Sequence, residues 1–249
     1  MKKKFGKLIA VTAAAFVLMV MPAMAQFSLD LEGGKVYTGY NDVRIPGTTG
    51  TDLSFRDDIE TDPAWYYRVR AGYLIEERHF VSVLAAPLRV RGSGSVNRDV
   101  NFDGTVFPAG TPLESTFQFN TYRATYRYDF FRSGRGVIGA GITMLVRDAY
   151  IEIEGGGKSA KNSNLGFVPL VNFRILAMLT SSAGVLVEGD ALASSQGRAF
   201  DILTAIVVPV NDMVTLKAGY RFLEGGADND KVYTFSLFHF ASFGVEIKL

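Results

Sequence analysis

The chain has no cysteine in its 249 residues. That excludes disulfides, thiolate metal sites and cysteine nucleophiles together. Histidine is nearly as scarce, with His79 and His239 the only two. No metal-ligand spacing of His or Cys exists, so neither a metal nor a cofactor is expected. GxGxxG and P-loop patterns are also missing, and Gly155-Gly156-Gly157 is a loop with no helix pattern after it. Charge of one sign is lacking too: 26 basic and 25 acidic residues give +1, and nothing points to nucleic acid. After Gln26, no apolar run approaches the roughly 20 residues that a membrane helix needs. If this chain crosses a membrane, it crosses as strands.

What is present begins with an export signal. Lys2, Lys3, Lys4 and Lys7 form a basic start, Leu8 to Val20 an apolar core, and Pro22-Ala23-Met24-Ala25 a small-x-small cleavage site. The spacing predicts a cleaved signal peptide over 1–25 and one domain over 26–249. The alternative, a helical anchor, needs a longer apolar run and no cleavage motif. Without those four lysines the chain has 22 basic and 25 acidic residues, or about −3.

The segment 231–249 (KVYTFSLFHFASFGVEIKL) organises the rest. Counting back by twos from Leu249 gives Ile247, Val245, Phe243, Ala241, His239, Leu237, Phe235 and Tyr233, all apolar or aromatic except His239. The other parity is polar or small at both ends, with Phe238 and Phe240 in the middle. Period two is the strand period. One greasy face and one largely polar face suit a wall between lipid and a polar lumen.

The same alternation recurs along the chain. Strands are predicted over 27–44, 63–75, 79–91, 114–129, 137–154, 165–179, 184–193, 198–210, 214–224 and 231–249. Pro87 predicts a bulge or edge in the third, and Arg147-Asp148 a bulge in the fifth. Long polar loops are expected over 45–62, 92–113 and 155–164, with a small hairpin over 100–107 on Asp103-Gly104. Tight turns fall on the other side. The expected fold is all-β, a transmembrane antiparallel up-and-down barrel of about ten strands, within a range of eight to twelve. A soluble barrel of lipocalin type is the competing architecture, but it buries its apolar face inward. Trp65, Tyr67, Tyr220, Phe222 and Tyr233 (with Phe235) are expected in an outer aromatic girdle, and Tyr126 and Tyr128 (with Phe130) in an inner one.

The closing strand resembles the C-terminal strand of bacterial outer-membrane barrels, with Leu249 where that family usually has Phe. The whole mature chain resembles the small outer-membrane β-barrels of Gram-negative bacteria, of OmpA and OmpW type and narrow porins. Local strings such as GRAFD (197–201), AGYRFLEGGAD (218–228) and VYTF (232–235) look like those of uncharacterised proteobacterial barrels. The resemblance implies an outer-membrane location and recognition of the last strand by the barrel assembly machinery. Outer-membrane lipids and lipopolysaccharide are the expected surroundings, and a monomer the expected state. It implies little about activity.

The inward parity carries the candidate functional residues. Arg68, Arg70, Arg123, Arg127, Arg174, Lys217 and Arg221 face Glu188, Asp190 and Asp201, with the acids on strands seven and eight. One reading is a salt-bridged plug filling a narrow lumen; another is an Arg-lined path for small anionic or polar solutes. The expected role is non-enzymatic, envelope structure or limited solute passage. The alternative is an enzyme acting on lipid A or peptides. It is disfavoured because Ser242, three residues from His239, falls on the opposite strand face, and because the acids Asp57, Asp58, Glu60 and Asp62 have no His beside them. Asp228, Asn229 and Asp230 are a calcium candidate, but three polar residues in sequence are more simply a turn.

Overall fold

Alternate residues of each long strand face opposite sides, as the pleat requires. Along 64–73, Trp65 and Tyr67 are exposed while Tyr66 and Arg68 are buried. The computed structural model describes residues 26–194 and 197–249. The predicted signal segment lies outside them, as do Ser195 and Gln196 in the predicted loop after strand seven. The elements are β1 (Gln26–Arg44), β2 (Leu53–Ser54), β3 (Ile59–Thr61), β4 (Ala64–Ile75), β5 (His79–Ala86), β6 (Arg89–Gly94), β7 (Val100–Phe102), β8 (Thr105–Phe107), β9 (Leu113–Ser133), β10 (Gly136–Gly155), β11 (Lys158–Met178), β12 (Gly184–Ser194), β13 (Gly197–Pro209), β14 (Val214–Asp228) and β15 (Tyr233–Lys248).

The strands form a closed antiparallel barrel of ten. Neighbours in sequence pair around the ring, and β15 returns to β1 from Ser28↔Lys248 to Arg44↔Tyr233. The third wall position is split: β5 and β6 both pair with β9, separated at Pro87-Leu88. Proline has no N–H to give the ladder, so the break falls where the sequence placed it. Closure leaves no open edge in lipid. Outside, Val83, Ile142, Met144, Phe167, Val171, Ile206 and Phe243 are exposed. Such a continuous apolar surface is unstable in water but suits a bilayer. No helix among the described residues is long and apolar enough to cross a membrane.

Three expectations need correction. The predicted loop over 155–164 is strand: β11 starts at Lys158, directly after a two-residue turn at Gly156 (φ 57°) and Gly157 (φ 74°). Both positions need the left-handed region, which glycine enters without strain. The polar residues 159–164 mark height above the membrane rather than a loop. Arg147-Asp148 makes no bulge; pairing runs straight through it on both sides, and the irregularity of this strand lies between Ile138 and Ala140. The loops over 45–62 and 92–113 are not simply solvated.

Strand length explains the last point. β12 has 11 residues, about what a tilted strand needs to cross a bilayer. β9, β10 and β11 have 21, 20 and 21, so roughly half of each projects beyond the membrane. Against the inner face of that wall the two long loops fold inward. Phe55, Ile59, Phe102 and Phe107 are fully buried with Val36, Phe117, Ile153, Phe238 and Phe240. Burying such residues follows the ordinary hydrophobic effect. The interior therefore has two layers, an apolar cap outside and a charged layer at membrane depth.

Candidate functional site

The charged layer follows from the inward parity of nine strands meeting in a narrow lumen. All ten sequence-predicted residues lie there, and it brings them into contact. Asp201 on β13 sits at the centre. It accepts from Arg68 of β4 at 3.0 Å, from Arg123 of β9 at 2.5 Å and from Arg221 of β14 at 2.5 Å. Glu188 on β12 accepts from Arg70 at 3.1 Å and Arg174 at 2.7 Å. Asp190 accepts from Arg123 at 2.7 Å, from the Thr143 hydroxyl at 2.7 Å and from Asn172 at 2.8 Å. Arg68, Arg70 and Arg123 reach these acids across the lumen from non-neighbouring strands, whereas Arg174–Glu188 and Arg221–Asp201 join adjacent ones.

Four further acids complete the layer and were not among the predicted residues. Asp30 on β1 accepts from Lys217 at 2.7 Å. Glu32, two residues on, receives a two-pronged hydrogen bond from Arg221, both contacts at 2.7 Å; this fork is the strongest geometry a guanidinium offers. Glu246 on β15 accepts from Arg174 at 3.2 Å. Asp129 accepts from Arg127 at 2.7 Å and Arg132 at 2.8 Å near the tight-turn end. The signal was available: in SLDLE, Leu29 and Leu31 take one parity while Asp30 and Glu32 take the other. The acids are thus spread over β1, β9, β12, β13 and β15, not confined to strands seven and eight.

Arg221, Asp201 and Glu188 are at most 3% exposed, so each charge depends on its partners. One small space among Arg70, Ser82, Thr125, Arg127, Asn172 and Glu188 has about 10 Å³, roughly room for one water. Tyr66 joins the two layers: its ring packs edge-on to Phe240 at 4.7 Å, and its hydroxyl donates to Glu32 at 3.2 Å.

The predicted girdle residues all take the outward parity. Trp65, Tyr67, Tyr126, Tyr128 and Tyr220 are exposed, while Phe222 and Tyr233 are half-buried. Lys35 lies over the Trp65 ring at 4.6 Å and Arg44 over Tyr233 at 4.9 Å. The histidines also face outward, His79 against the Tyr126 hydroxyl at 2.9 Å and His239 against that of Tyr220 at 2.5 Å. Ser242 is buried on the inner face. Asn229 spends its side-chain oxygen on the N–H groups of Lys231 and Val232, which makes that segment a turn.

No protein-family model matches the chain, and no curated protein resembles it in sequence. Solved structures do. The outer membrane protease OmpT of Escherichia coli aligns over 93% of this chain and 99% of its own, with 6% identity and a TM-score of 0.58. The fold is that of the outer-membrane β-barrels. Neisserial surface protein A covers 91% of this chain and 98% of its own at 14% identity and TM-score 0.34. The transport unit of the autotransporter AIDA-I of Escherichia coli covers 97% of each at 8% identity and TM-score 0.44. With its apolar outer belt and charged interior, the chain has the build of a membrane-spanning barrel of the outer-membrane type.

Proposed function

We infer that this barrel is a non-enzymatic envelope protein whose lumen is closed at membrane depth by its own ion pairs, with at most limited passage of small polar or anionic solutes. The observation that carries this reading is Asp201, contacted by Arg221 of the adjacent strand and by Arg68 and Arg123 from across the lumen. A path through the lumen would have to break that cluster. Between the two readings left open by the sequence, the plug has the better support, because each of the seven cations predicted for the charged layer has a carboxylate within ion-pair distance.

The absence of catalysis is part of the proposal. Both histidines face outward, and neither reaches a serine hydroxyl or a carboxylate. A nucleophile–base pair needs hydrogen-bond reach. OmpT is a protease, but the likeness to it extends to the fold only. Outer-membrane lipid, lipopolysaccharide and the assembly machinery acting on the closing strand are the partners this reading expects, with the barrel as a monomer.

Ion conductance of the refolded protein in planar bilayers tests the reading, with Arg123→Ala and Arg221→Ala alongside. Silence in the wild type and conductance in the variants is the expected result. Steady wild-type conductance whose charge selectivity shifts in the variants would replace the plug with an Arg-lined channel.

A further inference from the structure

A cavity of about 390 Å³ lies in the outer half of the barrel, over the charged layer and beside the apolar cap. Pockets for small organic ligands measure roughly 300–1,000 Å³. Uneven wall height creates it. β11 rises to Lys158, but its ladder to β12 ends at Val171↔Ala191, and the β12–β13 ladder ends at Ser194↔Gly197. The cavity is therefore bordered on one side by the upper part of β11 and the top of that hairpin. Leu165 and Phe167 are exposed on the outer face there, so the step in the wall is flanked by lipid-facing side chains.

The cavity is largely apolar, with Leu145, Val168, Leu170, Leu192 and Leu223 among its lining. Its charges do not balance. Of the lining carboxylates, Asp190 and Asp201 are held by Arg123, and Glu224 accepts from Arg198 at 2.8 Å. Arg147 is left over. Its guanidinium donates to Asn164 Oδ1 at 2.5 Å and its Nε has no acceptor. Among the described residues no carboxylate lies within ion-pair distance of it. A half-buried cation without a counter-charge is unfavourable, and a guanidinium presents a fork that fits a carboxylate, sulfate or phosphate.

We propose that this cavity binds a small amphiphile, with its anionic head group on Arg147 and its apolar chain against Leu145, Val168 and Leu170. The register supplies the orientation. Arg147 pairs with Gly166, Leu145 with Val168 one step deeper, and Thr143 with Leu170 below that. The head group lies toward the outside and the chain toward the membrane interior. The site lies on the outer side of the charged layer, whose Arg123, Asp190 and Asp201 border it, so its occupation does not require an open lumen.

The test uses the full barrel in phosphatidylcholine nanodiscs with dansyl-undecanoate as fluorescent probe. Saturable binding is expected, displaced by dodecanoate but poorly by dodecanol or inorganic phosphate. Arg147→Gln should weaken binding by about tenfold or more, as loss of a charge-assisted contact does. Leu170→Trp, which fills the chain site and keeps Arg147, should abolish it. Both variants should still show the heat-dependent gel mobility of a folded barrel. Displacement by phosphatidylglycerol built into the disc, as well as by added dodecanoate, would assign the amphiphile to the membrane; displacement by dodecanoate alone would assign it to the aqueous phase. Wild-type binding in both variants would overturn the proposal. So would phosphate or dodecanol competing as well as dodecanoate, since the site would then read only charge or only apolar surface. None of these outcomes bears on conductance.

Discussion

Lys217 on β14 and Asp30 on β1 meet at 2.7 Å across the face of β15, the strand that lies between them. Arg221 and Glu32 repeat the arrangement farther out. The ring closes between β1 and β15, so these pairs clamp the closing strand from both sides. Gly244 makes room for them. A Cβ there would stand 2.8 Å from the Leu31 carbonyl oxygen and 3.2 Å from Lys217 Cε.

Gly244→Val is therefore expected to push Lys217 off Asp30 and loosen the closure. The cost should fall in the overpacking range of about 1–3 kcal/mol. Urea unfolding of the barrel in lipid vesicles measures it. A midpoint equal to wild type would mean that the clamp adds nothing to closure.

Asp201→Asn should cost more. It leaves three buried guanidiniums facing a neutral amide, and breaking a buried pair by removing one partner costs about 3–5 kcal/mol. Asp190→Asn should be milder, because Asp190 has one arginine, and Thr143 and Asn172 remain as polar neighbours. The same unfolding experiment ranks the two, and the reverse order would remove Asp201 from the centre of the network.

Much of this could be read from residue alternation. The Trp65, Tyr67 and Val69 parity against Arg68 and Arg70 fixes both the wall and its inside, because a one-residue slip would put arginines into lipid. Pro87 marks the break in the third wall for the same kind of local reason. The pairing of charges was not legible. Arg68 and Asp201 are 133 residues apart, and only closure of the ring sets which inward residues face each other. The apolar cap was missed because Phe55, Phe102 and Phe107 are scattered among polar and glycine residues with no period. Loop residues acquire a core only when two loops and a tall wall meet.

The cap should come apart without the barrel. Phe102 is fully buried between the loop hairpin and the wall, and removing a buried Phe side chain costs about 3–5 kcal/mol. With Phe102→Ala, limited proteolysis should cut within 45–62 or 95–112 where the wild type resists. Heat-dependent gel mobility should be unchanged. Simultaneous loss of barrel mobility would mean that cap and barrel fold as one unit.

The cap also carries a pH-dependent contact. Arg98 donates to Asp58 at 2.7 Å, joining the two long loops, and the Ser54 N–H donates to the same carboxyl at 3.0 Å. Partial burial pushes the Asp58 carboxyl up, but the hydrogen bonds from Arg98 and Ser54 and the charge of Arg98 outweigh it. The group is held below its ordinary value of 3.8. On acidification the unfolded loop then takes up its proton before the folded one does. The stabilisation is complete above the ordinary value and disappears as pH falls through it toward the lower folded value. Amide exchange in 51–58, corrected for its intrinsic pH dependence, should therefore be flat from neutrality to about pH 5 and rise below about pH 4. In Asp58→Asn the acid-dependent rise should vanish. If the wild-type rise instead began near pH 6, Asp58 would not be the group responsible.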